Sequence, residues 1–425
     1  MRDPIRSQNH GVANVDPALS AASRRRFLRH SGVATLAALG APVPFLRNLA
    51  PTALAQTATP TDPIPGKRGL RILSDRPVVA ESPVTLLDDE ITPTERHFVR
   101  NNGHLPERAE KRDLTGWSLT IDGEVDRPLK LTLAELQRGF TAVSRALVLE
   151  CAGNGRAAFN PPASGNQWTL GGVGCAMYQG VRLGDVLRSA GVKKSAVYLA
   201  FESEDTHLSR QPGKQAISRG VPIAKALDEH TLLAWEMNGE PLPALHGWPL
   251  RLICPGWPAS TSGKWLKRLW VRDREHDGEK MTGHSYRLPK FPVPPGTKVD
   301  AADMAVIEEI PVKSIVTLPA TGTEVPVAKA VALRGQAWSG TGDVNAMHVS
   351  YDFGATWVEA RLKAPRNPYA WQRWEVELKL PLKGFYEIWA RATDRLGRMQ
   401  PMLVPGWNPE GYCNNAMQRI ALKAV

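Results

Sequence analysis

The clearest apolar run in this 425-residue chain opens at Val143 and stops at a thiol: Val143-Ser144-Arg145-Ala146-Leu147-Val148-Leu149-Glu150-Cys151. Branched and aliphatic residues dominate it, so the pattern predicts a strand that delivers Cys151 into the turn-prone run Ala152-Gly153-Asn154-Gly155-Arg156. Residues 117–125 alternate as a half-buried strand does. Thr132 offers an N-cap for a short helix over 132–136. Residues 182–190 carry the spacing of an amphipathic helix, ended by Gly191. Strands follow at 196–201, 232–237 and 250–254, with Asn238-Gly239 as a tight turn. Earlier, the short β-like pair Phe98-Val99 meets Arg100 and an Asn101-Asn102-Gly103 turn.

The pattern changes after a Pro-rich linker at 291–300. Short alternating runs at 345–351, 356–362, 373–380, 386–393 and 415–422, with Asp352-Phe353-Gly354 as a turn, predict an immunoglobulin-like β-sandwich. The fold class is therefore α+β: a mixed α/β domain over 85–296, then the sandwich over 297–425. Residues 56–84, rich in Pro and Thr at their start, read as an extended N-terminal arm.

Apolar content of 42% and charge of 22% fit a soluble globular chain of two or three domains. The first residues change how its charge is counted. Ser23-Arg24-Arg25-Arg26-Phe27-Leu28-Arg29, a modest apolar run and Ala53-Leu54-Ala55 together make a twin-arginine export signal over 1–55. The run is short and broken by proline, which argues against a membrane anchor. The signal carries seven arginines against two aspartates, leaving +6 of the formal +11 for the rest. No basic cluster is dense enough for nucleic acid. A periplasmic protein is expected, exported folded, a route that suits cofactor insertion before export.

The cysteines are Cys151, Cys175, Cys254 and Cys413, with no Cys-x-x-Cys for zinc or an iron–sulfur cluster. Two disulfides are arithmetically possible. Cys151 beside Arg156 has the setting of a depressed-pKa thiolate, a nucleophile or metal ligand; the other account is a small buried hydrophobe. His246 and Arg251, with the loop 255–265 that holds Lys264, form a cationic wall suited to a phosphate or polar cofactor.

Three stretches together resemble the sulfite oxidase family of molybdenum enzymes, above all haem-free bacterial periplasmic sulfite dehydrogenases. They are Cys151-Ala-Gly-Asn-Gly-Arg156, Glu236-Met-Asn-Gly-Glu-Pro-Leu-Pro243, and His246-Gly-Trp-Pro-Leu-Arg251 running on to Lys264-Trp265-Leu266. The resemblance implies a molybdopterin-binding domain followed by an immunoglobulin-like dimerisation domain. Cys151 would be the thiolate ligand to molybdenum, beside the dithiolene of the molybdopterin. Arg100, Arg156, Trp168 and Tyr286 would form the catalytic anion pocket. Asn101, Asn102, His246, Arg251, Ser262, Gly263 and Lys264 would bind the cofactor. The implied substrate is sulfite and the implied assembly a homodimer. The chain has no Cys-x-x-Cys-His for haem, so electrons would pass to a separate acceptor, a soluble c-type cytochrome. A molybdopterin-dependent sulfoxide or methionine-sulfoxide reductase is the alternative within the fold; a binding or adhesion protein is the reading from another class. One departure stands out. In Trp407-Asn408-Pro409-Glu410-Gly411, Glu410 sits where the animal enzymes have an arginine.

Overall fold

In the computed structural model, which describes residues 63–425, the strand leading to the thiol runs Ala142–Glu150, and its last five residues are buried. The export signal expected at 1–55 lies outside the described residues. The strand pairs antiparallel along its whole length with Val173–Arg182. That partner is not evident in the sequence because it is covered on both faces and so does not alternate. Its glycines are places of close approach: a Cβ on Gly180 would lie 2.0 Å from Leu233 O, and one on Gly174 2.6 Å from the His97 ring. The sheet continues through Leu232–Met237, whose far edge pairs with Arg251–Ile253 along its first half and with Glu240–Pro241 at its end. Asn238 and Gly239 turn it at φ 57° and 81°.

A second five-stranded sheet has the order Leu129–Leu131, Leu119–Gly123, Leu266–Arg272, Tyr198–Ser203, Gly220–Pro222. Leu119, Ile121, Phe201 and Leu269 from this sheet share one core with Val186 and Leu187 of the helix Leu183–Ala190 and with Leu252. That helix ends on left-handed Gly191. The helix Leu133–Gly139 starts with a capping box between Thr132 and Glu135.

The arm expected at 56–84 is corrected in part. Arg71–Asp75 and Val78–Glu81 form a hairpin, and Val99–Arg100 adds a third strand. The reason is burial: Val79, Ala80 and Val99 are almost wholly inaccessible. Glu81, also buried, accepts from Arg71 Nε and from Thr169 N and Oγ1, each at 2.8 Å. This small sheet holds Arg100 in place.

The C-terminal region is a sandwich. One sheet runs Lys313–Leu318, Ala330–Trp338, Gln372–Lys379, Arg361–Leu362; the other runs Thr323–Val325, Gln418–Ala424, Gly384–Asp394, Val344–Ser350, Val358–Glu359. Val316, Leu333, Trp374, Met347, Ile388 and Leu422 fill the space between them. The sandwich reaches back to the thiol loop. Cys413 N donates to Ala152 O at 2.9 Å, and Asn414 Nδ2 to Gly155 O at 2.8 Å. Among the described residues no helix is long and apolar enough to cross a membrane.

Candidate active site

Cys151 stands where its strand ends. Its N–H donates to Gly172 O at 2.9 Å and its carbonyl accepts from Asn154 N at 2.9 Å, so the backbone on both sides is fixed. The side chain is 7% exposed and faces an open cleft of about 650 Å³, counting the solvent space at its mouth. His97, Arg100, Asn102, Asp205, His246, Arg251, Ser260, Ser262, Gly263, Lys264 and Tyr286 line the same cleft. The other thiols are different. Burial pushes Cys175, Cys254 and Cys413 up to about 12 each, which leaves them protonated and inert. All four cysteines are free.

Arg100 and Cys151 line the cleft together, and the Arg100 guanidinium donates to Asn101 O. Burial works against its charge, but Tyr286, Cys151 and Tyr412 around it hold its pKa above the ordinary value. Tyr286 is in the left-handed region, φ 55°, and stacks on Tyr412 with ring centroids 5.4 Å apart and planes 11° apart. Arg219 lies 4.5 Å from the Tyr286 ring centre, and Arg156 lies 5.2 Å from that of Tyr412. Burial, then Tyr286, raises the Tyr412 phenol above its ordinary value.

Arg156 and Trp168 do not line the cleft. Arg156 Nε donates to Glu410 O at 2.6 Å and Nη1 to Asn166 O at 2.9 Å. It threads past Gly153, Gly165 and Gly411, where a Cβ would come within 2.5, 2.9 and 2.7 Å of its side chain. The glycines leave the guanidinium its space, and its two hydrogen bonds hold it behind the thiol loop. Trp168 is 1% exposed and meets Phe98 edge-on, 6.0 Å between ring centres at 83°. It shares a core cluster with Cys151.

The opposite wall is cationic. Lys264 Nζ donates to Arg100 O at 3.1 Å, to Leu245 O at 2.9 Å and to Asn101 Oδ1. Burial, then Arg251, holds its pKa well below the ordinary value. Arg251 Nη1 donates to His246 O at 3.3 Å, while its buried Nε has no partner. Ser260 Oγ is likewise buried and unpartnered. Ser262 Oγ accepts from Cys254 N at 3.0 Å. Gly263 leaves room that a side chain would take, since its Cβ would lie 2.6 Å from the Phe201 ring. Asn102 Oδ1 accepts from Lys280 Nζ at 3.0 Å. The one carboxylate lining the cleft, Asp205, is raised by burial to about 6.

His97, Asp205, Arg219, Ser260 and Tyr412 escaped the sequence reading. Tyr412 was within reach, two residues past the anomalous Glu410. Arg219 and Asp205 carry no local pattern and come to the site only through the fold.

Desolvated cations and unpartnered donors beside a thiol suit a polyanionic cofactor. Among the described residues no group of three or more His, Cys, Asp or Glu side chains gathers as an all-protein metal site. A metal at Cys151 therefore needs a non-protein ligand, which a dithiolene-bearing pterin provides, and the residues present fit that group.

Fold and site together define a molybdopterin-dependent oxidoreductase. The oxidoreductase molybdopterin binding domain matches residues 104–280, and the Mo-co oxidoreductase dimerisation domain matches 304–425. The chain is 35% identical to sulfite oxidase of Gallus gallus over 377 residues, 86% of this chain and 80% of that protein. It is 33% identical over 379 residues to nitrate reductase 1 (NADH) of Oryza sativa subsp. japonica, covering 83% of this chain but 40% of that one. The crystal structure of the sulfane dehydrogenase SoxCD from Paracoccus pantotrophus superposes with a TM-score of 0.68 at 26% identity, over 89% of this chain and 96% of that one. The chain belongs to the sulfite oxidase family. It is a molybdenum-dependent oxidoreductase whose cofactor is molybdenum–molybdopterin.

Proposed function

We propose that the enzyme oxidises sulfite to sulfate and passes the electrons to a separate c-type cytochrome. The observation that carries this reading is Arg100, a buried cation lining the same cleft as the Cys151 thiol and Tyr286, both of which act on its charge. A small dianion meets there a fixed charge and a phenol donor in a site with little water to screen them. Bound at Cys151, the molybdenum supplies the oxygen-transfer and two-electron redox chemistry. The chain's residues bind and orient. Arg100 and Tyr286 hold the anion. Arg156 acts one layer back, fixing Tyr412 and the thiol loop, and Trp168 backs Phe98 in the cleft wall. His246, Arg251, Ser262, Gly263 and Lys264 grip the cofactor, with Asn101 and Asn102 ordering the lysines of that wall. The similarity to chicken sulfite oxidase supports the substrate, and the match to SoxCD supports a sulfur compound more broadly.

The proposal extends to setting. Residues 1–55 send the folded chain to the periplasm by the twin-arginine route, 85–296 carry the chemistry and 297–425 form a homodimer. The test is an assay of purified, molybdenum-loaded protein with sulfite and either ferricyanide or cytochrome c. Sulfite-dependent reduction of both is expected. Turnover of methionine sulfoxide with none on sulfite would replace this reading with the reductase.

A further inference from the structure

One buried cation serves the cofactor wall from outside both matched regions. Lys67 is 7% exposed and precedes residue 104, where the first match starts. Its Nζ has three partners: it donates to Thr94 O at 2.6 Å and His97 O at 2.9 Å, and meets His246 Nε2 at 2.5 Å, where the direction of the bond depends on the imidazole tautomer. An ammonium group has three N–H donors and no lone pair, so a charged Lys67 donates in all three contacts. Burial lowers the pKa of both nearby imidazoles, His97 to about 3 and His246 well below its ordinary value, so both rings are neutral. A neutral ring carries one proton. If Nε2 accepts from Lys67, the proton sits on Nδ1.

The charge of Lys67 decides this, since a neutral amine would accept from an Nε2–H instead. Burial lowers Lys67 to about 7, and Glu95 opposes that shift. The other groups facing the pair are Arg251 and Lys264, both cations. A polyanionic cofactor in the cleft adds the missing negative charge and holds Lys67 protonated.

We propose that Lys67 is a positioning residue for the cofactor. It fixes His246 as the Nδ1–H tautomer, so the cleft wall offers a donor rather than an acceptor to an anionic oxygen of molybdopterin. The inference rests on the cofactor and not on the substrate.

The test measures loss of molybdenum and pterin from purified holoenzyme during timed incubation at neutral pH. Asparagine at 246 places an amide N–H near Nδ1, whereas glutamine places one near Nε2. His246→Asn should therefore retain the cofactor better than His246→Gln. Lys67→Met should speed release about tenfold with His246 present, but less than about twofold in the His246→Asn background, where no tautomer remains to be set. Equal acceleration in both backgrounds would reduce Lys67 to a structural role and overturn the proposal. So would better retention by His246→Gln than by His246→Asn, a comparison that stands even if Lys67→Met fails to fold. The wild-type holoenzyme is the reference throughout, so the result does not depend on which sulfur compound is oxidised.

Discussion

Two lysines flank the thiol loop, and they are treated in opposite ways. Lys313, from the first strand of the sandwich, is 2% exposed and meets Glu150 at 2.5 Å and Asn154 O at 3.2 Å. Trp338 Nε1 at 2.7 Å and Asn154 Nδ2 at 2.9 Å complete the shell around that carboxylate. Lys264, across the cleft, hydrogen-bonds only neutral oxygens, and one carboxylate, Asp205, stands against three neighbouring cations, Arg251, Arg100 and Lys67. A desolvated charge with a matched counter-charge holds structure together. A group of cations with a single carboxylate among them is costly to the cofactor-free protein and is retained where a further anion completes it. The first arrangement locks the residue before Cys151 to the second domain; the second receives the cofactor.

Single substitutions should separate the two. Lys313→Met strands Glu150 in the interior and should cost about 3–5 kcal/mol. That corresponds to a Tm drop on the order of 10 °C by calorimetry of the apo-protein. Adding Glu150→Gln should recover part of the loss. Lys264→Met should do the reverse: change apo stability by about 1 kcal/mol or less, because relief of repulsion offsets the lost hydrogen bonds, yet leave the purified protein short of molybdenum. If Lys313→Met melted with wild type, or Lys264→Met kept a full complement of cofactor, the division would fail.

The two regions also differ in how far the sequence revealed them. Tyr286 was expected only from the family resemblance, whereas the thiol, Arg100 and the cofactor wall were legible because each lies in a short run with its own signal. Examples are the strand that stops at Cys151 and the His246–Arg251 stretch. The sandwich was legible from alternation, since one face of each strand is solvated. Lys313 and Glu150 were not legible as a pair: they are 163 positions apart and neither breaks its local pattern. The strand Val173–Arg182 was hidden by burial on both faces. The hairpin at 71–81 was hidden by the proline-rich composition just before it. Lys67 was lost within that same segment.

A smaller effect distinguishes the two arginines expected in the anion pocket. Arg100 faces the cleft, so Arg100→Gln should raise the sulfite KM more than it lowers kcat, a loss of about 1.5–3 kcal/mol for one charged hydrogen bond. Arg156 is committed to Glu410 O and Asn166 O. Arg156→Gln should therefore lower Tm as well as kcat/KM, because the thiol loop loses one of its ties to the sandwich. Steady-state kinetics and melting of both variants check this. An unchanged Tm in Arg156→Gln together with a KM effect equal to that of Arg100→Gln would move Arg156 from the supporting layer to the anion itself.

The smallest effect is expected at Glu410. A carboxylate facing a dianion would oppose its binding. Glu410 instead serves through its backbone, whose oxygen takes the 2.6 Å bond from Arg156 Nε, and it is not among the residues that line the cleft. Its charge is felt at Tyr412, where it adds to the larger effects of burial and Tyr286 in raising the phenol's pKa. Glu410→Gln keeps the backbone bond and removes only that charge. Sulfite KM should then change by a few-fold at most, about 1 kcal/mol or less, as for a solvent-screened charge. Tightening by about a hundredfold would mean that the carboxylate faces the anion, and Arg100 would no longer suffice as the charge that holds it.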